Sequence, residues 1–238
     1  MGEKSVVVGI GGLNFNLTNC LGGTLVALAV FFFVYYLSRK VSIKPTKKQN
    51  VLEYLIDFTN DIVKSNVEDV DAQKHLSLYA FTLFLFIFMM NQLGLFFEFS
   101  INDHILVKSP TANPTITMTM AMITLLLAFN FGVQKYGVKG YLVSYARPVG
   151  FLLPINLIEE FTNFLTLSLR LYGNIYAGEV LLTLIGNRLA KSGGLWTVIA
   201  SAPLTLVWQG FSVFIGSIQA YVFVTLSMVY IGNKVTEE

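Results

Sequence analysis

The stretch TLSLRLYGN, Thr166–Asn174, places one arginine inside an apolar run that extends from Val149 to Arg188. Arginine keeps its proton in proteins, so Arg170 is a permanent cation. A charge at the centre of a bilayer costs roughly 2.5–3.5 kcal/mol on insertion scales, and such a residue usually faces a partner or water. The stretch therefore predicts a membrane helix whose arginine has a function.

The composition of the whole chain also indicates a membrane protein. Of its 238 residues, 54% are hydrophobic and 13% are charged, whereas soluble domains carry about 25% charged residues. The net charge of +2 gives no broad basic surface for nucleic acid. The single cysteine excludes an intrachain disulfide and a cysteine metal cluster. We predict one all-α polytopic membrane domain over residues 1–238, with no cofactor and no metal.

Long apolar segments, each able to cross the hydrocarbon layer as a helix of about 20 residues, recur along the chain. We predict membrane helices at 21–37, 76–99, 114–134, 149–190 and 195–233. The last two runs would form helices of about 60 Å, twice the bilayer core. Each is either two crossings or one tilted helix. Because no charged or proline-rich loop interrupts them, we favour long tilted helices paired as an antiparallel hairpin.

Residues 49–67 follow a different pattern. Apolar side chains such as Leu52, Leu55 and Ile62 recur on one side, and acidic residues and Lys64 recur on the other. This period of 3.6 predicts an amphipathic helix. The segment is too polar to span the bilayer, so it lies on the membrane surface or against a neighbouring element.

The basic residues predict the orientation of the chain. Ten lysines and arginines lie after the first and third membrane helices, against four in the N-terminal tail and the alternate loops. Loops rich in Lys and Arg stay in the cytoplasm. The N-terminus is therefore expected outside and the C-terminus in the cytoplasm.

Polar residues at membrane depth concentrate in the two long runs. They are Glu159, Glu160, Asn163, Arg170, Asn174, Glu179, Gln209 and Gln219. At about 100° per residue, the residues within roughly 40° of Arg170 are Glu159, Asn163, Thr166, Asn174 and Ala177. This predicts a polar stripe on one helix face. Glu160 and Glu179 lie ~15 Å and ~13 Å from Arg170 along the axis, in opposite directions.

The predicted hairpin sets which residues share a depth. If the chain turns at Gly193–Gly194, residue numbers at equal depth sum to about 388 for two antiparallel helices. Gln219 then lies level with Arg170, at a position to hydrogen-bond it. By the same count, Glu179 lies close to Ser212.

Several functions compete for these polar residues. Asn and Gln in membrane helices often only join helices. A secondary ion-coupled transporter also carries polar groups at mid-membrane, but normally with inverted repeats and broken helices, and we find neither. A passive scaffold has no need of Arg170. A carboxyl that passes a fixed cation releases its proton more readily, and the same cation repels protons that would leak past. Proton transfer therefore fits the pattern.

Three motifs resemble the subunit a family of F-type ATP synthases. They are SLRLYGNIYAGE at Ser168–Glu179, PINLIEE at Pro154–Glu160 and SIQAYVFVTLSMVYIG at Ser217–Gly232. NQLGLFFEF at Asn91–Phe99 resembles the family more loosely. The resemblance covers most of Leu76–Gly232.

The resemblance implies a role for each motif residue. Arg170 would face a ring of c subunits, with Gln219 as its partner. Glu179 and Asn174 would line a half-channel from outside, and Glu160 a half-channel to the cytoplasm. Protons would neutralise a carboxylate of the ring, travel with it and leave inside. The resemblance also implies a peripheral-stalk b subunit, the rest of the complex as partners, no nucleotide on this chain, and a bacterial plasma membrane.

Two positions depart from the family's pattern. Some members carry a histidine where this chain has Ser212, so the outer half-channel would depend on Glu179, water and the serine hydroxyl. The second membrane segment continues as FFEF where the family often has a proline, which makes Glu98 a candidate acid at the outer mouth. Ion choice would belong to the partner's carboxylate site, so H⁺ is favoured over Na⁺ only by default.

Overall fold

The structure, a computed structural model of the chain, describes residues 7–10, 13–39, 42, 46–96, 99–101, 104–107, 109–144, 150–184 and 195–236. The elements are β1 (Val7–Ile10), β2 (Leu13–Asn16), α1 (Leu17–Ser38), α2 (Lys47–Asn66), α3 (Val70–Phe96), β3 (Phe99–Ile101), β4 (His104–Val107), α4 (Pro114–Ser144), α5 (Leu153–Leu184) and α6 (Leu195–Thr236). Short 3-10 helices at Pro110–Ala112 and Gly150–Leu152 precede α4 and α5.

Within the described residues, four helices are long and apolar enough to cross a membrane. They are Leu17–Ser38, Val70–Gly94, Pro114–Tyr141 and Ala202–Val235. The fifth long helix, α5, has 32 residues and carries the polar set around Arg170. The predicted class, an all-α polytopic membrane protein whose last two helices are long, is confirmed. The tilt of those helices stays a prediction.

Several helix bounds differ from those predicted from hydropathy. The α3 helix begins at Val70, six residues before the predicted start, and α4 continues to Ser144. The number of apolar residues reports only the part of a helix that lies in the hydrocarbon layer. The helix itself continues as long as its backbone hydrogen bonds continue. Inside α4 the backbone turns at Gly137, whose φ is +72°, a value that glycine adopts without a steric penalty.

Two antiparallel β-hairpins were not predicted. The first pairs β1 with β2 and the second pairs β3 with β4. The sequence between β1 and β2 is Gly11-Gly12, a dipeptide suited to two-residue hairpin loops. These strands have only three or four residues each, so they contribute little to a hydropathy profile.

The contacts of the chain form two compact units, and each is described by itself. The first unit comprises Met1–Phe32, Phe86–Pro114 and Leu171–Ala220. The second comprises Phe33–Leu85, Thr115–Arg170 and Tyr221–Glu238. The single domain over residues 1–238 stays a prediction.

In the first unit, amide side chains of α3 hold the middle of α6. Asn91 is fully buried, and its Nδ2 donates to the carbonyl of Gly216 at 2.9 Å. Gln92 Nε2 donates to Ser217 Oγ at 3.3 Å. A Cβ at Gly216 would lie 3.3 Å from Asn91 Cβ, so the glycine permits this close approach. Part of the NQLGLFFEF motif therefore joins helices.

In the second unit, the amphipathic α2 packs against neighbouring helices. The ring of Phe58 lies 5.4 Å from the ring of Phe84 on α3 and 5.8 Å from that of Tyr221 on α6. Gly232 of α6 lies so close to the carbonyl of Asn66 that a Cβ there would overlap it. The sequence left open whether α2 lies on the membrane surface or against a neighbour, and these contacts identify its neighbours.

The turn between α2 and α3 carries a capping carboxylate. Asp69 Oδ1 accepts the backbone N–H groups of Asp71 and Ala72 at 3.0 and 3.2 Å. Asp69 Oδ2 also lies 3.6 Å from Lys135 Nζ on α4. The backbone N–H of Ala72, then that of Asp71, lowers the pKa of Asp69, and Lys135 adds to the effect.

Candidate functional site

The α5 helix has one exposed polar face and one buried apolar face. Arg170, Asn174 and Ala177 are exposed, as are Glu159 and Thr166, while Asn163 is half-buried. Leu167, Leu171 and Ile175, which lie roughly 60–140° around the helix from Arg170, are buried. The cation is thus on the outside of the chain, in a helix made mostly of apolar residues. Such a residue needs water or a partner in contact with it.

In the first unit, α5 and α6 are joined by neutral polar groups. Asn174 Nδ2 donates to Gln219 Oε1 at 2.9 Å, and Trp208 Nε1 donates to the carbonyl of Gly178 at 3.3 Å. Residue numbers rise along one helix as they fall along the other, so the two segments are antiparallel. Gln219 bonds one helical turn beyond the position that the sequence predicted. The predicted turn at Gly193–Gly194 lies outside the described residues.

A small cavity adjoins these contacts. It has a volume of about 160 Å³. Its walls are formed by Asn174, Ile175, Ala177, Gly178, Trp208, Phe211, Ser212 and Ile215. Ser212 Oγ is buried without a hydrogen-bond partner in the described part of the chain, and the same holds for Gln219 Nε2. Buried polar atoms beside a cavity of this size are where structural water binds. Glu179, next to Gly178 in sequence, is half-buried.

In the second unit, Glu160 forms an ion pair that the sequence did not predict. Lys234 Nζ lies 2.6 Å from Glu160 Oε1, and the two side chains are 17% and 24% exposed. Lys234 occupies the last turn of α6, where a cation also interacts favourably with the helix dipole. The sequence offered one signal for this pair, because an antiparallel hairpin brings the end of α6 near the start of α5.

The remaining candidate from the sequence, Glu98, lies outside the described residues. Tyr230, which the sequence did not single out, is within electrostatic reach of both Arg170 and Glu160. The second unit therefore brings Glu160 and Lys234 into contact, with Tyr230 on the α6 turn before Lys234. The first unit brings together Asn174, Gln219 and Ser212.

The family model described as the ATP synthase A chain matches residues 21–232, a range that includes every one of these site residues except Lys234. The chain belongs to the ATP synthase A chain family. A relative named ATP synthase subunit a, from Limosilactobacillus reuteri, is 51% identical over 237 residues and the whole of both chains. Relatives of the same name from Enterococcus hirae and Listeria welshimeri are 51% and 44% identical, again over the whole of both chains.

Membership of the ATP synthase A chain family fixes the class of protein. The chain is a multi-pass membrane protein and a subunit of a multi-subunit complex. The relatives cited are all bacterial.

Proposed function

We propose that this chain is the ion-channel stator subunit of a rotary ATP synthase. It forms two offset half-channels that load and unload protons on the carboxylates of a ring of c subunits. The observation that supports this most directly is the exposed polar face of α5, with Arg170 at its middle and buried apolar residues on the adjoining face. A face of this kind suits a partner that carries its own ionisable group past the arginine.

Arg170 separates the two half-channels. Its guanidinium stays charged at any physiological pH. A protonated carboxyl that approaches it gives up its proton, because the nearby cation favours the carboxylate. The cation also repels free protons, so it prevents a direct leak from one half-channel to the other. Transfer of one charge across the membrane is worth ~2.3 kcal/mol per 100 mV, which drives rotation only if that leak is blocked.

The outer half-channel is formed by the first unit. Glu179 receives the incoming proton, and Asn174, Gln219 and Ser212 line the route. The cavity of about 160 Å³ and the buried Ser212 Oγ beside it support a path filled by water. Water bound to Ser212 replaces the histidine that some family members carry at this position.

The cytoplasmic half-channel is formed by the second unit, with Glu160 as its acid. A proton released from the ring reaches Glu160 and leaves to the cytoplasm. This assignment requires the N-terminus outside and the C-terminus inside, in agreement with the distribution of basic residues. The chain acts on no substrate of its own and binds no nucleotide. Its partners are the c ring, the peripheral-stalk b subunit, the rest of the complex and the lipid bilayer.

The test is ATP-driven acidification of inverted membrane vesicles from cells that carry Arg170→Ala, followed with a pH-sensitive dye. We expect loss of pumping with an assembled complex, together with a faster passive proton leak. Arg39→Ala is the matched control, because Arg39 is an exposed arginine that directly follows α1. Normal pumping by Arg170→Ala would sink the mechanism. Purification distinguishes this function from that of a secondary transporter, because a transporter would not copurify with a ring of small subunits and a peripheral ATPase.

A further inference from the structure

The ion pair between Glu160 and Lys234 is part of the wall of a cavity in the second unit. The cavity has a volume of about 420 Å³. Its other described lining residues come from α4 and α5 and are Leu125, Leu126, Ala128, Phe129, Tyr141, Leu153 and Leu157. Among the described lining residues, the pair supplies the only charges. An acid at an apolar wall is expensive unless it is compensated.

The pair holds the Glu160 carboxylate in one place. A contact of 2.6 Å between Nζ and Oε1 is a charge-assisted hydrogen bond, which is short and directional. Lys234 lies in the last turn of α6, and Glu160 lies in the second turn of α5. The contact therefore joins the start of one helix to the end of the other. Without the lysine, the glutamate side chain loses this contact.

We infer that Lys234 is a positioning residue for proton exit: it holds ionised Glu160 at the wall of this cavity and releases it when Glu160 takes up a proton. This inference rests on the proposed function, in which Glu160 is the acid of the cytoplasmic half-channel. Lys234 touches neither the ring nor the transferred proton. It acts only through Glu160.

The proton balance of the step is simple. One proton arrives on a carboxylate oxygen of Glu160, which becomes a neutral acid, and the attraction to Lys234 is lost. The same proton then passes to water, and the carboxylate pairs with Lys234 again. Lys234 keeps all three of its own protons throughout. The other ionisable groups on these helices include Glu159 beside Glu160 and Arg170 ten residues along α5, Tyr230 one turn away on α6, and Tyr141, Lys135 and Lys139 on α4.

A purely structural ion pair would behave differently from a positioning one. If the pair only joined α5 to α6, its removal would lower the amount of assembled complex and leave the rate per complex unchanged. If Lys234 acts through Glu160, its removal lowers the rate per complex. In addition, its removal has no further effect once Glu160 can no longer carry a charge.

The experiment compares Lys234→Met, Lys234→Arg, Glu160→Gln and the double variant Glu160→Gln/Lys234→Met in inverted vesicles. The readout is the initial rate of ATP-driven acidification per assembled complex, with the complex counted by membrane-bound ATPase activity. We expect Lys234→Met to pump roughly tenfold more slowly, the lower end of what orienting partners contribute at other sites. Lys234→Arg restores pumping, and the double variant pumps like Glu160→Gln alone. Lys139→Met, at an exposed lysine of α4, is the matched control.

Three results would overturn the inference. One is a wild-type rate per complex for Lys234→Met. Another is a double variant that is slower than Glu160→Gln by the full effect of Lys234→Met. The third is a loss that follows assembly alone in both lysine variants, which makes the pair structural. The proposed function is tested separately with Arg170→Ala in the same vesicles. Normal pumping by that variant would contradict the proposed function, whereas the three results above would contradict only the role of Lys234.

Discussion

The two polar clusters along α5 and α6 are built on opposite principles. In the first unit, Asn174 and Gln219 are neutral, and buried polar atoms of Gln219 and Ser212 lack partners within the described structure. In the second unit, Glu160 and Lys234 are charged and pair directly. A neutral cluster with unmet hydrogen bonds offers binding sites for water, whereas the two charges of the ion pair satisfy each other. The same two helices thus carry an open cluster, with unmet hydrogen bonds, and a closed one, whose charges are in direct contact.

The largest effect expected from this comparison follows from filling the open cluster. Ser212→Leu places a bulky apolar group in the cavity of about 160 Å³ and removes the hydroxyl that would hold water. We expect the rate of ATP-driven acidification to fall by more than about tenfold, because water with fewer than two polar partners leaves such a site. Ser212→Ala, which removes the hydroxyl and keeps the space, is the control and loses less. Normal pumping by Ser212→Leu would contradict the role of this cavity as a binding site for water.

A smaller effect is expected from glycines of α6 in the two regions. Gly232→Ala puts a methyl group against the carbonyl of Asn66, whereas Gly210→Ala meets nothing within 4 Å. We expect the first substitution to destabilise the protein by about 1–3 kcal/mol through overpacking. The second stabilises α6 by up to about 1 kcal/mol, since alanine is the better helix former. Thermal denaturation of the purified complex in detergent measures both, and equal shifts would contradict the difference in packing.

The smallest effect concerns another ion pair of the second unit, between Asp69 and Lys135. The pKa of Asp69 is lowered from its ordinary value of 3.8, first by the backbone N–H of Ala72. A carboxylate whose pKa is lowered in the folded state stabilises the folded protein at any pH above the ordinary pKa. This stabilisation is lost as the pH falls through the pKa of the folded state. The protection factor of the Ala72 amide, which compares its exchange rate with the intrinsic rate at the same pH, should therefore fall as the pH drops through the folded value.

The control for Asp69 is Asp69→Asn, which keeps a capping oxygen and cannot titrate. Its Ala72 amide should exchange without this pH dependence. The effect in the unmodified chain should also weaken in high salt, because Lys135 and Asp69 are both partly exposed. Exchange that is equally pH-dependent in the two chains contradicts the role of Asp69.

Periodicity and hydropathy were sufficient for the helices but not for their contacts. The predicted amphipathic helix at 49–67 agrees with α2 at Lys47–Asn66 to within two residues, because a period of 3.6 is a local property. Its neighbours, Phe84 and Tyr221, are distant in sequence and emerge only from the fold. The two β-hairpins were not predicted, because strands of three or four residues are too short to show a periodicity.

The sequence was sufficient to select the residues of the candidate site, but it did not tell which of them contact each other. The polar face around Arg170 follows from helix geometry alone, and the described exposures agree with it. The partners of Gln219 and Glu160 depend on the register between α5 and α6. The Trp208–Gly178 contact lies within two residues of the predicted register. Gln219 and Lys234 instead reach Asn174 and Glu160, roughly a helical turn or more beyond their predicted partners.

The distance in sequence between Glu160 and Lys234 has a consequence for synthesis. Translation at about 5–20 residues per second needs roughly 4–15 s to add the 74 residues that separate them. Throughout that interval Glu160 exists without its lysine. The nascent α5 therefore enters the membrane either with this acid protonated or with another cation beside it. The mature pairing is among the last contacts of the second unit to form.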